Sequence, residues 1–274
     1  MSKEGVSLAI KNVVSDMMDK VLENVLIKNP FIVEQHHASK PLYAALVPDE
    51  IFKGSHFERR FVTPFGGVWG KLAQVVAQEA HGFSAIQHNI SGQISDERLR
   101  RIQETLNNLE NKKTKQKPSW QQELDYILAG DGELIPVTVI CDLYIENLVS
   151  NKKYAFELKG PFPNSDQTKV SKEKLFKLLA MEIPQVDHAY FALPYNPYGS
   201  KESYTWSFPK RWFDMQHDDC VLIAEEFWNL IGGDGTYTNF ISEINALGSE
   251  YKERIYREFL GIEPPESNKT GFLR

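Results

Sequence analysis

One stretch of the sequence strongly limits the folds that the chain can adopt: IPVTVICDLYIENLVSNKKYAFELKG at residues 135–160. The apolar, β-branched run at its start and the alternating YAFELK near its end predict two strands, joined by a turn near Val149 to Asn151. Downstream, VSKEKLFKLLAMEI has the periodicity of a helix, and HAYFALPY that of a third strand. The order strand, strand, helix, strand predicts an α/β core in which a mixed β-sheet is flanked by helices.

The segments around this core predict mainly helices. MSKEGVSLAIKNVVSDMMDKVLENVL carries apolar side chains at helical spacing, and Ser95 caps another helix in SDERLRRIQETLNNLENKK. FVTPFGG predicts a turn before a helix at about 68–80, while CVLIAEEFWNLI and a segment at about 238–259 predict two further helices. Because no linker or repeat is visible, we expect one domain over residues 1–274, with a helical portion at about 1–60 and the core at about 61–235.

The apolar, cysteine and charge content excludes several classes of protein. No window approaches the roughly 18–20 apolar residues of a membrane span, and the N-terminus lacks the apolar region of a signal peptide, so we expect a soluble cytoplasmic protein. Cys141 and Cys220 stand outside any CxxC or zinc-ligand spacing, and we expect reduced structural thiols. The formal net charge of −6 excludes a uniformly basic nucleic-acid binder, so a DNA site would need local basic patches and metal ions.

The predicted hairpin brings two carboxyl groups and a lysine together. Side chains alternate across a strand, so Glu157 and Lys159 share one face of the second strand. A turn near Val149 to Asn151 places Asp142 of the first strand across from Glu157 or Lys159. Two neighbouring carboxylates repel each other unless a cation lies between them, and oxygen ligands favour a hard ion such as Mg²⁺. A metal ion with an adjacent lysine suits phosphodiester hydrolysis, because both stabilise charge on the phosphoryl group.

The same three residues also fit simpler interpretations. A Glu and a Lys two positions apart on a strand commonly form a solvated cross-strand ion pair. Asp142 follows the apolar run VTVIC, where an unpaired carboxylate carries a desolvation cost that a structural lysine partner also removes. A glycosidase is a further interpretation of two carboxyl groups, but it leaves Lys159 without a role.

The spacing of these residues resembles a known nuclease signature. Asp142, then fourteen residues, then Glu157-Leu158-Lys159 resembles the PD-(D/E)xK motif, with Cys141 in place of the usual proline. The segment ELKGPFPNSDQTKVSKEKLFKLLAM, followed by AYFALPYNPYG, resembles type II restriction endonucleases of the TdeIII kind. FVTPFGGVWGKLAQVVA is similar to the helix that precedes their catalytic sheet, and the resemblance runs from about residue 57 to about residue 235.

This resemblance implies a Mg²⁺-dependent endonuclease that cuts double-stranded DNA as a homodimer at a short palindromic site, GGNCC in the family. It implies no nucleotide cofactor and no membrane partner. Carried over by position, Asp142 and Glu157 are metal ligands and Lys159 is the catalytic lysine. Further candidates are Glu79 as a supporting acid and, for DNA contact, Lys152, Asn164, Gln167, Lys169 and Asn196.

Two other functions remain open at this level. A repair or recombination nuclease of the same fold would recognise DNA structure or ends and cut without sequence preference. A non-catalytic DNA-binding protein would keep the fold and use Asp142, Glu157 and Lys159 as a structural ion network.

Overall fold

The computed structural model describes residues 3–111 and 116–265. These residues divide into two compact units, one comprising residues 73–237 and the other comprising residues up to 72 together with those from 238 onward. The prediction of one domain over the whole chain stays a prediction. No helix among the described residues is both long enough and apolar enough to cross a membrane.

The unit formed by residues up to 72 and from 238 onward is helical in its described part. Its helices are α1 (Lys3–Glu23), α2 (Val33–Ser39), α3 (Pro41–Ala44), the first part of α4 (Asp49–His81) and α9 (Thr236–Arg254), with π-helical turns at Asn24–Lys28 and Ile255–Leu260. The predicted N-terminal helix is confirmed, because its apolar face is buried at Val6, Ile10, Val13, Val14, Met17, Val21 and Val25. The Tyr251 hydroxyl of α9 donates hydrogen bonds to Ser15 and Asp19 of α1.

The prediction of a turn at FVTPFGG is wrong, because α4 runs through this segment with Pro64 inside it. An interior proline removes one helical hydrogen bond and costs about 3 kcal/mol. Aromatic side chains at helical spacing offset part of this cost, since rings four residues apart contact each other along one side of α4. The ring centroids are 6.2, 5.1 and 5.2 Å apart along the row formed by Phe57, Phe61, Phe65 and Trp69.

The other unit is built on a five-stranded sheet. Its strands are β1 (Gly82–Ser95), β2 (Leu134–Asn147), β3 (Lys152–Leu158), β4 (His188–Leu193) and β5 (Val221–Ile223), and its other helices are α5 (Asp96–Glu110), α6 (Trp120–Leu128), α7 (Ser165–Leu179) and α8 (Glu225–Gly232). The strands lie in the order β1-β2-β3-β4-β5; the first two pairings are antiparallel and the last two are parallel. The predicted mixed sheet flanked by helices is therefore confirmed.

Two details of this unit differ from the sequence predictions. β1 was not expected, because GFSAIQHNISGQIS is largely polar and buries only two of its large apolar side chains, Ile90 and Ile94. CVLIAEEFWNLI was expected to be one helix, but Val221–Ile223 forms β5 and the helix begins only at Glu225. Ala224 separates the two elements with a positive φ of 51°, which a continuous helix does not contain.

The core of this unit lies between the sheet and the helices packed on it. Ile102, Leu106 and Leu109 of α5 are buried, and Ser95 caps this helix by accepting a hydrogen bond from the Arg98 backbone, as predicted. Cys141 and Cys220 are free and buried, which confirms the prediction of structural thiols. Burial raises the pKa of the Cys141 thiol to about 12, so it stays protonated and unreactive at neutral pH.

Candidate active site

The candidate site forms where β2 and β3 stop pairing. Their backbone ladder ends at the pair Leu143 and Phe156, and the next residues in this register are Asp142 and Glu157. At this point the Leu158 backbone N–H donates to Oδ2 of Asp142 over 2.9 Å, so a side chain takes the place of a strand partner. The register expected from the position of the turn is therefore confirmed.

Lys159 follows the last residue of β3 and closes the group. Its backbone N–H donates to the Ala192 carbonyl of β4 over 3.0 Å, which fixes the start of its side chain. Its ammonium Nζ lies 2.7 Å from Oδ2 of Asp142 and 3.3 Å from Oε2 of Glu157. It also donates to the Leu158 carbonyl over 3.1 Å. The structure thus brings together the three residues that the sequence singled out.

Glu157 is held on its other side by helix α7. The side chain of Glu157 is only 1% exposed, and its Oε1 lies 2.9 Å from the ammonium of Lys174. The Ser171 hydroxyl donates to Oε2 over 3.3 Å. Ser171 and Lys174 are three residues apart, so one face of α7 presents both to the same carboxylate. Asn164 starts this helix by accepting a hydrogen bond from the Gln167 backbone.

Burial and charge act in opposite directions on the ionisable groups of the site. Burial raises the pKa of Glu157 above its ordinary value, and the negative charge of Asp142 adds to this rise, while Lys159 and Lys174 oppose it. Burial lowers the pKa of Lys159, but the charges of Glu157 and Asp142 outweigh that effect and leave it above its ordinary value. Lys159 therefore stays protonated at neutral pH, and Glu157 is held in a site where ionisation needs neighbouring cations.

Gln87 of β1 also contacts the site, on the side of Asp142. Its side-chain amide donates to Oδ1 of Asp142 over 3.2 Å. The β1–β2 ladder pairs Ile86 with Leu143 and His88 with Cys141 but leaves out the pair between them, Gln87 and Asp142. At that point Gln87 has a φ of 49°, in the left-handed region, which costs a non-glycine residue on the order of 1 kcal/mol or more. This irregular backbone stands directly opposite Asp142.

The site fits a metal ion that takes oxygen ligands. Oxygens of Asp142 and Glu157 both lie against one ammonium group, so the position between them already favours positive charge. Among the residues that the structure describes, no three His, Cys, Asp or Glu side chains form a metal-binding group. Mg²⁺ does not need such a group, because it usually takes one or two carboxylates together with water and a substrate phosphate. Asp142 and Glu157 meet that requirement.

The other candidates from the sequence lie outside this group. Glu79 is exposed on α4, and no described contact joins it to the three central residues. Lys152 begins β3, at the opposite end of the strand from Lys159. Lys169 forms an ion pair with Glu110, its ammonium 2.6 Å from the carboxylate. Their proposed roles stay predictions.

Asn164 and Asn196 have roles in the fold. Asn164 is the N-cap of α7, and its side chain accepts a hydrogen bond from the backbone N–H of Gln167. Asn196 stabilises a turn, since its amide donates to the Ser200 carbonyl and its oxygen accepts from the Tyr198 backbone. Contact of Asn164, Gln167 or Asn196 with DNA stays a prediction.

Sequence reasoning missed Gln87, Ser171 and Lys174. The helical periodicity of VSKEKLFKLLAMEI carried a partial signal, because it places Ser171 and Lys174 on one side of a helix. Nothing local indicates that this side meets Glu157. Gln87 carried no signal, since its strand was not expected.

Replacing Lys174 by Met should change the pH dependence of catalysis. The change removes a hydrogen bond and a positive charge that lower the pKa of Glu157, so this already raised pKa rises further. Ionised Glu157 then forms only at higher pH, and the acidic limb of the pH–rate profile should move to higher pH. Initial rates of DNA cleavage, the activity that the resemblance implies, test the prediction when they are measured across this limb. Lys177→Met is the matched control, because Lys177 lies on the same helix but pairs with Glu173; an equal shift in both variants would contradict it.

The mixed sheet flanked by helices is consistent with a restriction endonuclease-like core. The family model described as type II restriction endonuclease, HinfI, matches residues 6–248. The chain therefore belongs to the HinfI family of type II restriction endonucleases, which are site-specific deoxyribonucleases. Such enzymes act on double-stranded DNA and generally use divalent metal ions.

Individual relatives agree with this family. The type II restriction enzyme HgiCII of Herpetosiphon aurantiacus is 28% identical over 226 residues, which cover 81% of this chain and 82% of the relative. HgiBI of the same organism is 27% identical over 228 residues, or 81% of each chain. HgiEI, also from Herpetosiphon aurantiacus, is 28% identical over 228 residues, again 81% of each. The more specific resemblance to TdeIII enzymes is not confirmed by these matches.

Proposed function

We propose that Asp142, Glu157 and Lys159 form the catalytic centre of a Mg²⁺-dependent restriction endonuclease of the PD-(D/E)xK type. The convergence of two carboxylates on one ammonium group, at the point where two core strands separate, is the observation that carries this proposal. Membership of a type II restriction endonuclease family supports it from a separate direction.

The residues of the site have distinct tasks in this proposal. Asp142 and Glu157 would hold Mg²⁺, which when bound would polarise a phosphoryl oxygen and lower the pKa of a bound water. Lys159 donates hydrogen bonds from its protonated ammonium to the reacting phosphate and its attacking water, which stabilises charge at the pentacovalent phosphorus. Ser171 and Lys174 hold Glu157 in place, and Gln87 does the same for Asp142. Water attacks the phosphorus directly and one P–O ester bond breaks; the leaving oxygen takes a proton from solvent and becomes a hydroxyl, so no covalent enzyme intermediate forms.

The proposal is tested by incubating the purified protein with unmethylated phage DNA, in the presence of Mg²⁺ and separately with EDTA. We expect discrete Mg²⁺-dependent fragments, whose sequenced ends reveal the target site. A Mg²⁺-dependent smear would instead indicate a repair-type nuclease, which family membership does not favour. Intact DNA at high protein concentration, with no Mg²⁺ binding by calorimetry, would support a non-catalytic protein.

We propose GGNCC as the target and a cytoplasmic homodimer as the active form, on the resemblance to TdeIII enzymes. A palindromic site has twofold symmetry, so a twofold dimer places one catalytic centre at each strand. Sedimentation on a target duplex, with Ca²⁺ in place of Mg²⁺, should show two protein chains per duplex. One chain per duplex would contradict the dimer, and mapped ends at another sequence would contradict GGNCC. Recovery outside the cytoplasmic fraction would contradict the location.

A further inference from the structure

A two-stranded ribbon extends from the candidate active site. The β2–β3 ladder ends at Leu143, whereas β1 and β2 stay paired as far as Ser95 and Leu134. Residues 87–95 and 134–142 therefore continue beyond the β2–β3 ladder as an antiparallel ribbon, which we call the distal ribbon. Because Gln87 and Asp142 are its first residues, the distal ribbon begins at the proposed catalytic carboxylate.

The two faces of the distal ribbon have opposite character. One face enters the core, where Ile90, Ile94 and Val139 are at most 5% exposed. Side chains two residues apart on a strand point to the same side, so the other face carries Gln87 and Asp142. Most of this face is exposed. Its exposed cross-strand pairs are Asn89 with Ile140, Ser91 with Thr138, and Gln93 with Pro136.

The distal ribbon is held in place from its buried side. The backbone N–H of Glu182 donates to the Gln93 carbonyl over 2.9 Å. Gly92 lies against Met181, so closely that a Cβ on Gly92 would be 2.7 Å from the Met181 sulfur. On the exposed face, a 2.8 Å hydrogen bond joins the hydroxyls of Ser91 and Thr138. The exposed side chains therefore stand on a supported backbone.

The exposed face has the chemistry of a surface that contacts bases. Apart from Asp142 at its first position, the ribbon contains no Asp, Glu, Lys or Arg, so the rest of its face offers no cation for phosphates and no anion that repels DNA. Within the described part of the chain, the side-chain amides of Asn89 and Gln93 have no hydrogen-bond partner. Each amide has a donor and an acceptor, as base edges require. It can pair with adenine, donate to guanine O6 or N7, or accept from cytosine N4.

The dimensions of the distal ribbon also suit the major groove of DNA. This groove admits a two-stranded ribbon. Asn89 and Gln93 are four residues apart, or about 13 Å along a strand. This distance corresponds to about four base-pair steps. For DNA that is bound at Asp142 and follows the ribbon, Asn89 and Gln93 are two and six residues along the strand from Gln87, or about two and six base-pair steps from the phosphate at Asp142.

We propose that the exposed face of the distal ribbon is a sequence-reading surface, on which Asn89 and Gln93 contact base edges in the major groove of the target. This inference rests on the proposed function, because the active site sets where DNA lies. It assigns sequence specificity to β1 and β2, the strands that also carry Gln87 and Asp142 of the proposed catalytic centre.

The test is selection of bound duplexes from a random-sequence DNA pool, with Ca²⁺ in place of Mg²⁺. The wild-type protein should select a defined motif, and Asn89→Ala and Gln93→Ala should each lose preference at one or more base pairs of that motif. Affinity for the selected target should fall by roughly 5- to 150-fold, with non-specific affinity unchanged. Gln121→Ala is the control, since this exposed amide lies on α6 and donates to Asp125. Thermal unfolding of all variants checks that each is folded.

Three results would overturn the inference: a motif unchanged in both variants, an equal loss of target and non-specific binding, or a change in oligomeric state without a change in motif. Selection does not depend on cleavage, so the two proposals fail separately. Discrete Mg²⁺-dependent fragments with unchanged motifs would leave the proposed function standing and remove the distal ribbon as the reader. Altered motifs in the variants, without cleavage by the wild-type protein, would support the distal ribbon as the reader and contradict the proposed function.

Discussion

Lys159→Ala and Asp142→Ala should each slow cleavage of the target by on the order of 1000-fold. Lys159→Ala removes the ammonium that lies 2.7 Å from Asp142 and 3.3 Å from Glu157. Asp142→Ala removes a proposed metal ligand and the acceptor for both Gln87 and Leu158. Single-turnover cleavage of a mapped target, at saturating enzyme, measures the loss independently of binding.

The fold should stay largely intact in both variants, because Glu157 keeps Lys174 as a partner in Lys159→Ala, and Lys159 keeps Glu157 in Asp142→Ala. Lys177→Ala is the control for loss of a lysine from the same unit, because Lys177 pairs with Glu173, which is partly exposed. The Lys177→Ala variant should cleave at the rate of the wild-type protein. Retained cleavage in either Lys159→Ala or Asp142→Ala would overturn the roles assigned to these residues. Near-ultraviolet circular dichroism distinguishes lost catalysis from lost folding.

The second large effect is expected on stability, at the buried ion pair of Lys172 and Glu123. The Lys172 side chain is fully buried and Glu123 is 5% exposed. The Lys172 ammonium also donates to the Trp212 carbonyl and lies over the Phe213 ring. Burial raises the pKa of Glu123, and the charge of Lys172 opposes that rise. Glu123→Ala should lower the free energy of unfolding by about 3–5 kcal/mol, because it leaves a buried ammonium without its counter-ion.

Urea unfolding followed by tryptophan fluorescence measures this loss, since Trp120 stacks on Phe176 with ring centroids 4.7 Å apart next to the pair. Glu173→Ala breaks a partly exposed ion pair on α7 and should cost no more than about 1 kcal/mol. Glu123→Leu combined with Lys172→Met should recover most of the loss, because the apolar pair has no charge to desolvate. A loss in Glu123→Ala as small as that in Glu173→Ala would contradict the prediction.

The central site was accessible from sequence for a geometrical reason. Side chains alternate strictly along a strand, and the turn after Asn147 sets which residues of β2 and β3 are opposite. Those two local facts are sufficient to bring Asp142 and Glu157 together, and Lys159 follows two positions further on the same face. The chemistry of the site then follows from residue type, since carboxylates and an ammonium group that are largely buried must pair with each other or with a metal ion.

Other elements depended on contacts that local patterns do not record. The α4 segment contains proline and two glycines, which favour a turn locally, yet it is helical in the structure, with aromatic rings in contact along one side of the helix. β1 is too polar to be recognised alone, and it is a strand because β2 pairs with it along almost its whole length. For β1 the stabilising free energy comes from β2, a distant segment of the chain, whereas the ring contacts of α4 are local to that helix.

The sequence by itself determined the class of fold, the pairing of the hairpin strands and the convergence of Asp142, Glu157 and Lys159, because each depends on periodicity over a few residues. Only the tertiary structure decided which groups support them. Ser171 and Lys174 reach Glu157 because α7 packs with that face toward the sheet, and Gln87 reaches Asp142 through a left-handed backbone opposite it. Packing of distant segments selects one helix face and one strand partner, and that choice is a property of the whole chain rather than of any local segment.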